Sequence, residues 1–198
     1  MDKYVLMRMD NRTEGDFQED LSQFTKKEFY WGIALRYHLG EIGLPCMIEE
    51  HGVDNTGKLI PGRLPNHNAD KIYHFLNGET MKVEIKTIPE WCNKFMTFKV
   101  CALKGCWNQG ARILVPSKSR FHMLGKEAFE YLLEKLPTRT DVKSFGNKPV
   151  VRAFTPMIED MVGKGMIMKK EWSPRASQYI NSISHILLEE RRTAAATR

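Results

Sequence analysis

The feature that most constrains this chain is a pair of short strand-like segments joined by Asn77-Gly78. The flanking segments, residues 69–75 (ADKIYHF) and 80–87 (TMKVEIKT), contain alternating apolar and β-branched or aromatic residues. An Asn-Gly pair between two such segments is a strong short-range indication of a β-hairpin. We therefore predict two adjacent antiparallel strands here.

The second strand places two charged side chains on one face. Side chains two residues apart in a strand project from the same side. Glu84 and Lys86 are therefore expected to point together, while Val83 and Ile85 point to the opposite, apolar side. The strand thus presents a carboxylate and an ammonium group side by side.

The position of Asp70 depends on the length of the turn. A two-residue loop would pair position 70 with position 85, so that Asp70 would face away from Glu84. A three-residue loop, Leu76-Asn77-Gly78, with the glycine in the left-handed conformation, pairs 70 with 84 and brings the two carboxylates together. A shared site requires the three-residue loop.

Two carboxylates that face each other across a hairpin repel unless a positive charge lies between them. A divalent cation supplies that charge, and ligation by carboxylates, a backbone carbonyl and waters suits Mg²⁺ or Mn²⁺. Such an ion polarises a phosphate oxygen and lowers the pKa of a bound water. Lys86 would orient or deprotonate that water, or neutralise charge on the phosphate. The alternative is a Glu-x-Lys pair on an ordinary solvated face.

The charge distribution favours a polyanionic partner. The 198 residues carry a formal net charge of +6, and the sequence pI is about 9.1. Residues 1–99 contain 13 Lys and Arg against 15 Asp and Glu, whereas residues 100–198 contain 17 against 9. Carboxylates are thus most abundant around the hairpin, and the positive excess follows it, as in proteins that bind nucleic acid.

Cysteine usage and hydropathy exclude other classes. None of the four cysteines (46, 92, 101 and 106) forms a CxxC pair, so the spacing predicts neither a zinc ribbon nor a zinc finger. A mixed site using His51, His67 or His74 stays open. The sequence has no signal-peptide pattern and no apolar segment of about 18 residues. We therefore expect no membrane association and a cytoplasmic location with reduced thiols.

The remaining patterns predict a single mixed α/β domain over residues 1–198, with a core at about 21–136 and a helical and strand addition at 137–192. Before the hairpin we predict a helix (21–39) that Gly40 stops, a strand (44–53) and a long loop (54–68). After it we predict a strand (111–117), a helix (125–137), a strand (148–155) and helices at 156–168 and 173–192. Ser173 is expected to cap the last helix, with Pro174 at its first position. Segment 91–110 has no clear pattern.

Asp70, thirteen intervening residues and then Glu84-Ile85-Lys86-Thr87 resemble the motif of the PD-(D/E)xK nuclease superfamily. The helix–strand–hairpin–helix–strand order over residues 21–120 is similar to its common core. One departure is Asn68-Ala69-Asp70, where members often have Pro-Asp. The resemblance implies a restriction-endonuclease-like fold, with a mixed central sheet flanked by helices and additional C-terminal helices.

The resemblance also implies roles for the hairpin residues. Asp70 and Glu84 would be metal ligands, the Ile85 carbonyl a further ligand, and Lys86 the catalytic lysine. Many members add a glutamate from the first helix, for which Glu28 is the candidate, although a surface role beside Lys26 or Lys27 is equally open.

We therefore expect a Mg²⁺-dependent DNA endonuclease of the type II restriction kind, in which Mn²⁺ can substitute. It would act on double-stranded DNA and form a homodimer to cut both strands. The alternatives are a structure-specific or exonucleolytic enzyme of repair, recombination or phage replication, and a non-catalytic nucleic-acid-binding protein on the same scaffold.

Substrate contacts are expected from the basic residues near the hairpin and from the start of the last helix. Basic side chains position the phosphate backbone, and Gln and Arg can read base edges. Trp91, Phe95 and Trp107 are either base-stacking residues or core. The loop at 54–68 borders Asp70 and is a further candidate surface. The candidate contacts are Lys94, Lys99, Lys104, Arg112, Lys118, Arg120, Arg175 and Gln178.

Overall fold

The structure, a computed structural model, describes residues 23–50, 69–87, 94–140 and 148–184. The helices in these ranges are α1 (Gln23–Glu41), α2 (Val100–Gln109), α3 (Lys126–Lys135), α4 (Thr155–Gly163) and α5 (Pro174–Ser182). The strands are β1 (Cys46–Glu50), β2 (Lys71–Phe75), β3 (Thr80–Ile85), β4 (Phe95–Lys99), β5 (Arg112–Pro116), β6 (Arg120–Leu124), β7 (Val150–Phe154) and β8 (Ile167–Glu171).

The strands form one large and one small sheet. The main sheet has the order β1-β2-β3-β5-β6-β8, and β4 and β7 form a separate two-stranded antiparallel ribbon. Within the main sheet only β3 and β5 are parallel, and the other neighbours are antiparallel. The predicted mixed α/β class, a sheet flanked by helices, is confirmed.

The hairpin has the three-residue loop. Val83 pairs with Lys71 and Thr80 with His74, a register that places Asp70 opposite Glu84. The Phe75 N–H donates to the Glu79 carbonyl at 2.9 Å, and the Gly78 N–H donates to the Phe75 carbonyl at 3.0 Å. Gly78 has φ 85°, the left-handed conformation that glycine adopts without strain. The predicted turn is therefore confirmed.

Each face of the main sheet is covered by its own hydrophobic cluster. On the α1 face, α1 and α5 pack over Val83, Ile85, Leu114 and Phe121. On the α2 face, α2, α3, α4 and the ribbon pack over Ile113, Val115 and Leu124. Alternation along β3 puts Glu84 on the α2 face, level with Ile113.

Helix α1 shows one difference from the sequence prediction. It continues through Gly40 to Glu41, and the chain then turns at Gly43, whose φ is 85°. Glycine within a helix costs about 1 kcal/mol relative to alanine but does not by itself end it. A left-handed glycine beyond the last turn does.

The C-terminal half contains two strands that the sequence analysis did not predict. Strand β6 follows β5 after only three residues, and β8 occupies part of the segment predicted as a helix at 156–168. Helix α4 ends at Gly163, and Gly165, with φ 76°, turns the chain into β8. Because β8 pairs with β6 along its whole length, sheet pairing overrides the helical preference of the methionines in this segment.

The segment without a clear pattern forms β4 and α2 with no loop between them. Strand β4 ends at Lys99 and α2 begins at Val100. Gly110, with φ 63°, ends α2, and its N–H donates to carbonyls of the last turn. A strand of five residues that runs directly into a helix has no turn signal that a sequence pattern could reveal.

The start of α5 is capped by a residue of α1. Ser173 occupies the N-cap position, as predicted, but its side chain makes no capping hydrogen bond. The Glu41 carboxylate instead accepts the Arg175 N–H at 2.9 Å. Hydrogen bonding by the Ser173 side chain, and then by the Arg175 and Ala176 N–H groups, holds the pKa of Glu41 below its usual value. The two helices on the α1 face are thus joined by a charged cap.

His38 joins the same two helices and should make stability pH-dependent. Its Nδ1 accepts the Ser173 N–H at 3.0 Å, and burial lowers the pKa of His38. The unfolded chain therefore takes up a proton below about pH 6.5 that the native imidazole does not. We expect the free energy of unfolding to fall with decreasing pH by up to about 1.4 kcal/mol per pH unit from this group.

Urea unfolding at pH 7.5 and pH 5 measures this dependence. His38→Asn keeps an acceptor for the Ser173 N–H but cannot titrate, so its free energy of unfolding should change in its favour, relative to wild type, on going from pH 7.5 to pH 5. The other groups are common to both proteins: His122, whose pKa burial also lowers, acts in the same direction as His38, whereas Glu28 and Glu84, whose pKa values are raised, act in the opposite direction. An equal change in free energy of unfolding between the two pH values for both proteins would show that His38 makes no contribution.

Candidate active site

The centre of the site is the pair of carboxylates at the ends of β2 and β3. Asp70 immediately precedes β2, and its Oδ2 accepts the Ile85 N–H at 2.6 Å. This hydrogen bond crosses the hairpin and holds the Asp70 side chain against the strand that carries Glu84. Burial raises the pKa of Glu84, and the negative charge of Asp70 raises it further. The two carboxyl groups therefore share one small, partly desolvated space.

Lys86 supplies the positive charge nearest to this pair. It lies directly after β3, where its N–H donates to the Leu114 carbonyl at 2.8 Å, and its ammonium group contacts the Glu84 carboxylate. Burial opposes its charge, but Glu84, Asp70 and Glu28 outweigh that effect and raise the pKa of Lys86. The predicted trio of Asp70, Glu84 and Lys86 is brought together.

Glu28 approaches the trio from α1. Burial and the charge of Asp70 raise the pKa of Glu28 to about 7, and Lys86 and Lys71 act in the opposite direction. Such mutual influence requires Glu28 to lie close to the other groups. Glu28 is therefore half-buried and within electrostatic range of the hairpin carboxylates, although among the described residues it does not form a three-residue metal cluster with them.

Lys71 is a member of this group that the sequence analysis missed. It is only 3% exposed and lies on the α1 face, on the side of β2 that also carries Tyr73. A Cβ atom at Gly32 would lie 3.1 Å from Cε of Lys71, so glycine lets the lysine stem pass against α1. The sequence does contain an indication of this burial: Lys71 alternates with Tyr73 on the buried side of β2.

Helix α2 contributes a buried cysteine next to the carboxylates. Cys106 of α2 is buried in the same cluster as Ile113. Burial raises the pKa of the Cys106 thiol to about 12, and the carboxylates of Glu84 and Asp70 contribute. The thiol is therefore protonated and acts as part of an apolar floor next to the carboxylates.

The donor set fits a hard divalent cation. Three carboxylates against the two ammonium groups of Lys71 and Lys86 leave an excess of one negative charge when all are ionised. Mg²⁺ is held by one or two carboxylates, with waters completing the octahedron. Asp70, Glu84 and the Ile85 carbonyl meet that requirement, although within the described ranges no three His, Cys, Asp or Glu side chains form a metal cluster.

The basic residues around β5 differ in their relation to the site. Because β3 and β5 are parallel, Lys118 and Arg120, just after β5, lie at the same end of the sheet as Lys86. Arg112 is level with Val83 and shares its face, away from Glu84. All three are exposed.

The other predicted contacts lie on both sides of the sheet. Lys94 immediately precedes β4, Lys99 is its last residue and Lys104 is on α2. All three are exposed, on the α2 side of the main sheet. Arg175 and Gln178 are exposed on α5, which packs on the α1 face, and the Arg175 guanidinium lies 4.6 Å from the Tyr37 ring centroid. The start of α5 is thus across the sheet from Glu84.

Of the aromatic candidates, Phe95 is half-buried and Trp107 is exposed, with its indole N–H donating to Glu130 at 3.0 Å. Trp91, the loop at 54–68, His51 and His67 lie outside the described residues. His74 contacts Glu49 at 2.8 Å, in an exposed pair on β2 and β1.

Comparisons with known proteins do not assign the chain to a group. No protein-family model matches it, and a search of curated proteins finds no significant similarity. The helices of the described ranges are all too short or too polar to cross a membrane.

Proposed function

We propose that the chain is a Mg²⁺-dependent DNA endonuclease that hydrolyses phosphodiester bonds, with Mn²⁺ able to substitute. The observation that carries this proposal is the register of the hairpin. The three-residue loop puts Asp70 opposite Glu84, and Lys86 lies on the same face. A non-catalytic nucleic-acid-binding protein on this scaffold would have no need to hold two repelling carboxylates side by side.

The topology supports a restriction-endonuclease-like fold. The order α1, β1, β2–β3 hairpin, α2 and β5, with β5 parallel to β3, matches the helix–strand–hairpin–helix–strand order of the PD-(D/E)xK common core. The additional strand β4 comes between the hairpin and α2 but leaves the main sheet. The similarity to the common core is therefore not limited to the short sequence motif. The order of helices and strands also agrees with it over the described parts of residues 23–116.

The proposed chemistry assigns one task to each side chain. The ion would be held by Asp70, Glu84 and the Ile85 carbonyl. When bound, it would polarise the phosphate and lower the pKa of a water molecule. Lys86 is positioned to donate to a phosphate oxygen and stabilise its growing charge. Glu28 of α1, within electrostatic range of this group, would bind the waters that complete the coordination shell.

The proposed assembly and location follow from this chemistry. Cutting both strands of a duplex at one place requires two sites, so we propose a homodimer acting on double-stranded DNA in the cytoplasm. Cys46, Cys101 and Cys106 are free thiols, as a reducing compartment would keep them.

A cleavage assay with a matched lysine pair tests the proposal. Circular and linear DNA are incubated with Mg²⁺, Mn²⁺ or EDTA, using wild type, Lys86→Ala and Lys82→Ala. Lys82 is exposed and two residues before Glu84 on the same strand face. We expect Lys86→Ala to reduce cleavage by at least about 100-fold, and Lys82→Ala to resemble wild type.

The products also separate the alternatives. Discrete metal-dependent fragments and linearised circles support an endonuclease, whereas progressive shortening from ends supports an exonuclease. The absence of cleavage of any DNA with either metal would refute the enzymatic proposal.

A further inference from the structure

The outer side of the β4–β7 ribbon carries aromatic and polar side chains. Phe95 pairs with Phe154 and Thr97 with Arg152. The alternate side chains, including Phe98, Val151 and Ala153, are buried in the cluster on the α2 face. Alternation therefore turns the first set of four away from the core. We call Phe95, Thr97, Arg152 and Phe154 the ribbon platform.

The platform combines π faces with a fixed cation. The rings of Phe95 and Phe154 are 6.0 Å apart at 71°, and the Arg152 guanidinium carbon lies 4.2 Å from the Phe95 ring centroid. Arg152 Nε donates to the Thr97 hydroxyl at 3.4 Å, which orients the guanidinium. Phe154 is 55% exposed, although an exposed phenylalanine ring is costly in water.

The charge of the ribbon is of one sign. Residues 94–100 and 148–155 contain four basic and no acidic side chains. The four are Lys94, Lys99, Lys148 and Arg152. Lys94, Lys99 and Lys148 are exposed. A ligand that complements this surface carries negative charge along its length and also presents flat apolar faces.

We propose that the ribbon platform binds single-stranded DNA, with an unpaired base stacked on Phe154 and the neighbouring phosphates near the ribbon cations. In a duplex each base face is covered by the next base pair, so the duplex offers phosphates but few free π faces. Aromatic side chains on a basic surface favour unpaired nucleotides. This inference rests on the proposed function. It restricts the proposed DNA substrate to DNA that contains unpaired nucleotides.

The platform lies on the same side of the main sheet as the carboxylates. Its inner side packs in the cluster that contains Cys106 and Ile113, and Ile113 is level with Glu84. The aromatic end of β4 is also the end joined to β3. Six residues lie between Thr87 and Lys94, so their Cα atoms, seven steps apart along the chain, are at most about 25 Å apart. This bounds the distance between the end of β3, where Lys86 lies, and the aromatic end of the platform.

Binding without turnover tests the proposal. Fluorescence anisotropy in EDTA measures the affinity of a labelled oligothymidine, of an abasic strand of the same length and of a blunt duplex. We expect Phe154→Ala and Phe154→Leu to weaken oligothymidine binding about tenfold, and Phe154→Trp to retain it. The control is Leu76→Ala, which removes a 62% exposed apolar side chain from the distant hairpin turn.

The abasic strand and the duplex decide the interpretation. The abasic strand and the duplex should each bind to Phe154→Ala as tightly as to wild type, because these two DNA ligands lack accessible base faces but keep the phosphates. Equal oligothymidine affinity of all variants, or an equal loss on the abasic strand, would overturn the proposal. A third result would also overturn it: wild type sediments as a dimer, Phe154→Ala sediments as a monomer, and the two bind DNA equally. The platform would then be a contact surface for a second copy of the chain.

The two proposals fail in different ways. Selective oligothymidine binding by a protein that cleaves no DNA would support the platform and refute the nuclease. Metal-dependent cleavage by a protein whose Phe154 variants bind normally would refute the platform alone. Because Phe154 is exposed, its variants should unfold at the wild-type urea midpoint, which is checked in parallel.

Discussion

Asp70→Asn is expected to lower metal-dependent DNA cleavage about 1,000-fold while making the protein slightly more stable. Asparagine keeps an oxygen that can accept the Ile85 N–H, so the hairpin geometry should persist. It removes the negative charge that raises the pKa values of Glu28 and Glu84. Relief of this repulsion, partly offset by the lost attraction between Asp70 and Lys86, should raise the free energy of unfolding at pH 7 by less than about 1 kcal/mol.

The opposite signs of the two effects distinguish a functional carboxylate from a structural one. Single-turnover cleavage with Mg²⁺ and urea unfolding in EDTA measure them separately. Asp160→Asn is the matched control, because Asp160 is an exposed residue of α4 that forms a surface ion pair with Lys164. Cleavage near the wild-type rate would exclude Asp70 from the site, and a clear loss of stability would show that its charge supports the fold.

Deleting Asn77 should lower the free energy of unfolding by at least about 3 kcal/mol. The three-residue turn then has to take in Glu79 as its last residue (Leu76-Gly78-Glu79), which shifts β2 by one position against β3. Tyr73, which is fully buried with its hydroxyl donating to the Gly32 carbonyl at 2.9 Å, would then face the other side. Asp70 would move opposite Ile85, so any protein that still folds should lack cleavage.

Asn77→Gly is the control for this deletion. It keeps the loop length and loses only the side-chain contacts with Glu79, of which the one to the Glu79 N–H is 3.0 Å long. We expect it to be nearly as stable as wild type and to cleave DNA normally. Denaturant unfolding and the cleavage assay compare the two variants. A deletion variant that retains wild-type stability and activity would show that a two-residue Leu76-Gly78 loop keeps the native pairing, so that the extra loop residue is not required.

The local part of the fold and site was predictable from the sequence because it depends on short-range rules. Alternation places Glu84 beside Lys86, and a left-handed glycine with one extra loop residue brings Asp70 to them. Both rules act within 17 residues of chain, where loop geometry leaves few alternatives. The predicted strand and helix at 111–117 and 125–137 are likewise local patterns, and both are present as β5 and α3.

The parts that were missed depend on distant partners. Strand β8 carries two lysines and a methionine whose own preference is helical, and only pairing with β6 makes it a strand. The burial of Lys71 depends on space that Gly32 provides on α1, about 40 positions away. The same is true of the cap on α5, where Glu41 replaces the adjacent Ser173.

The link between α1 and α5 has a consequence for how the chain folds during synthesis. The hydrogen bonds from Ser173 to His38 and from Arg175 to Glu41 join residues 135 and 134 positions apart. The helix that carries Glu28 leaves the ribosome well before α5, so its packing is completed only when α5 arrives. The nascent chain therefore carries Glu28 on a helix whose partner has not yet been made, and the native surroundings of α1 form only once α5 has been synthesised.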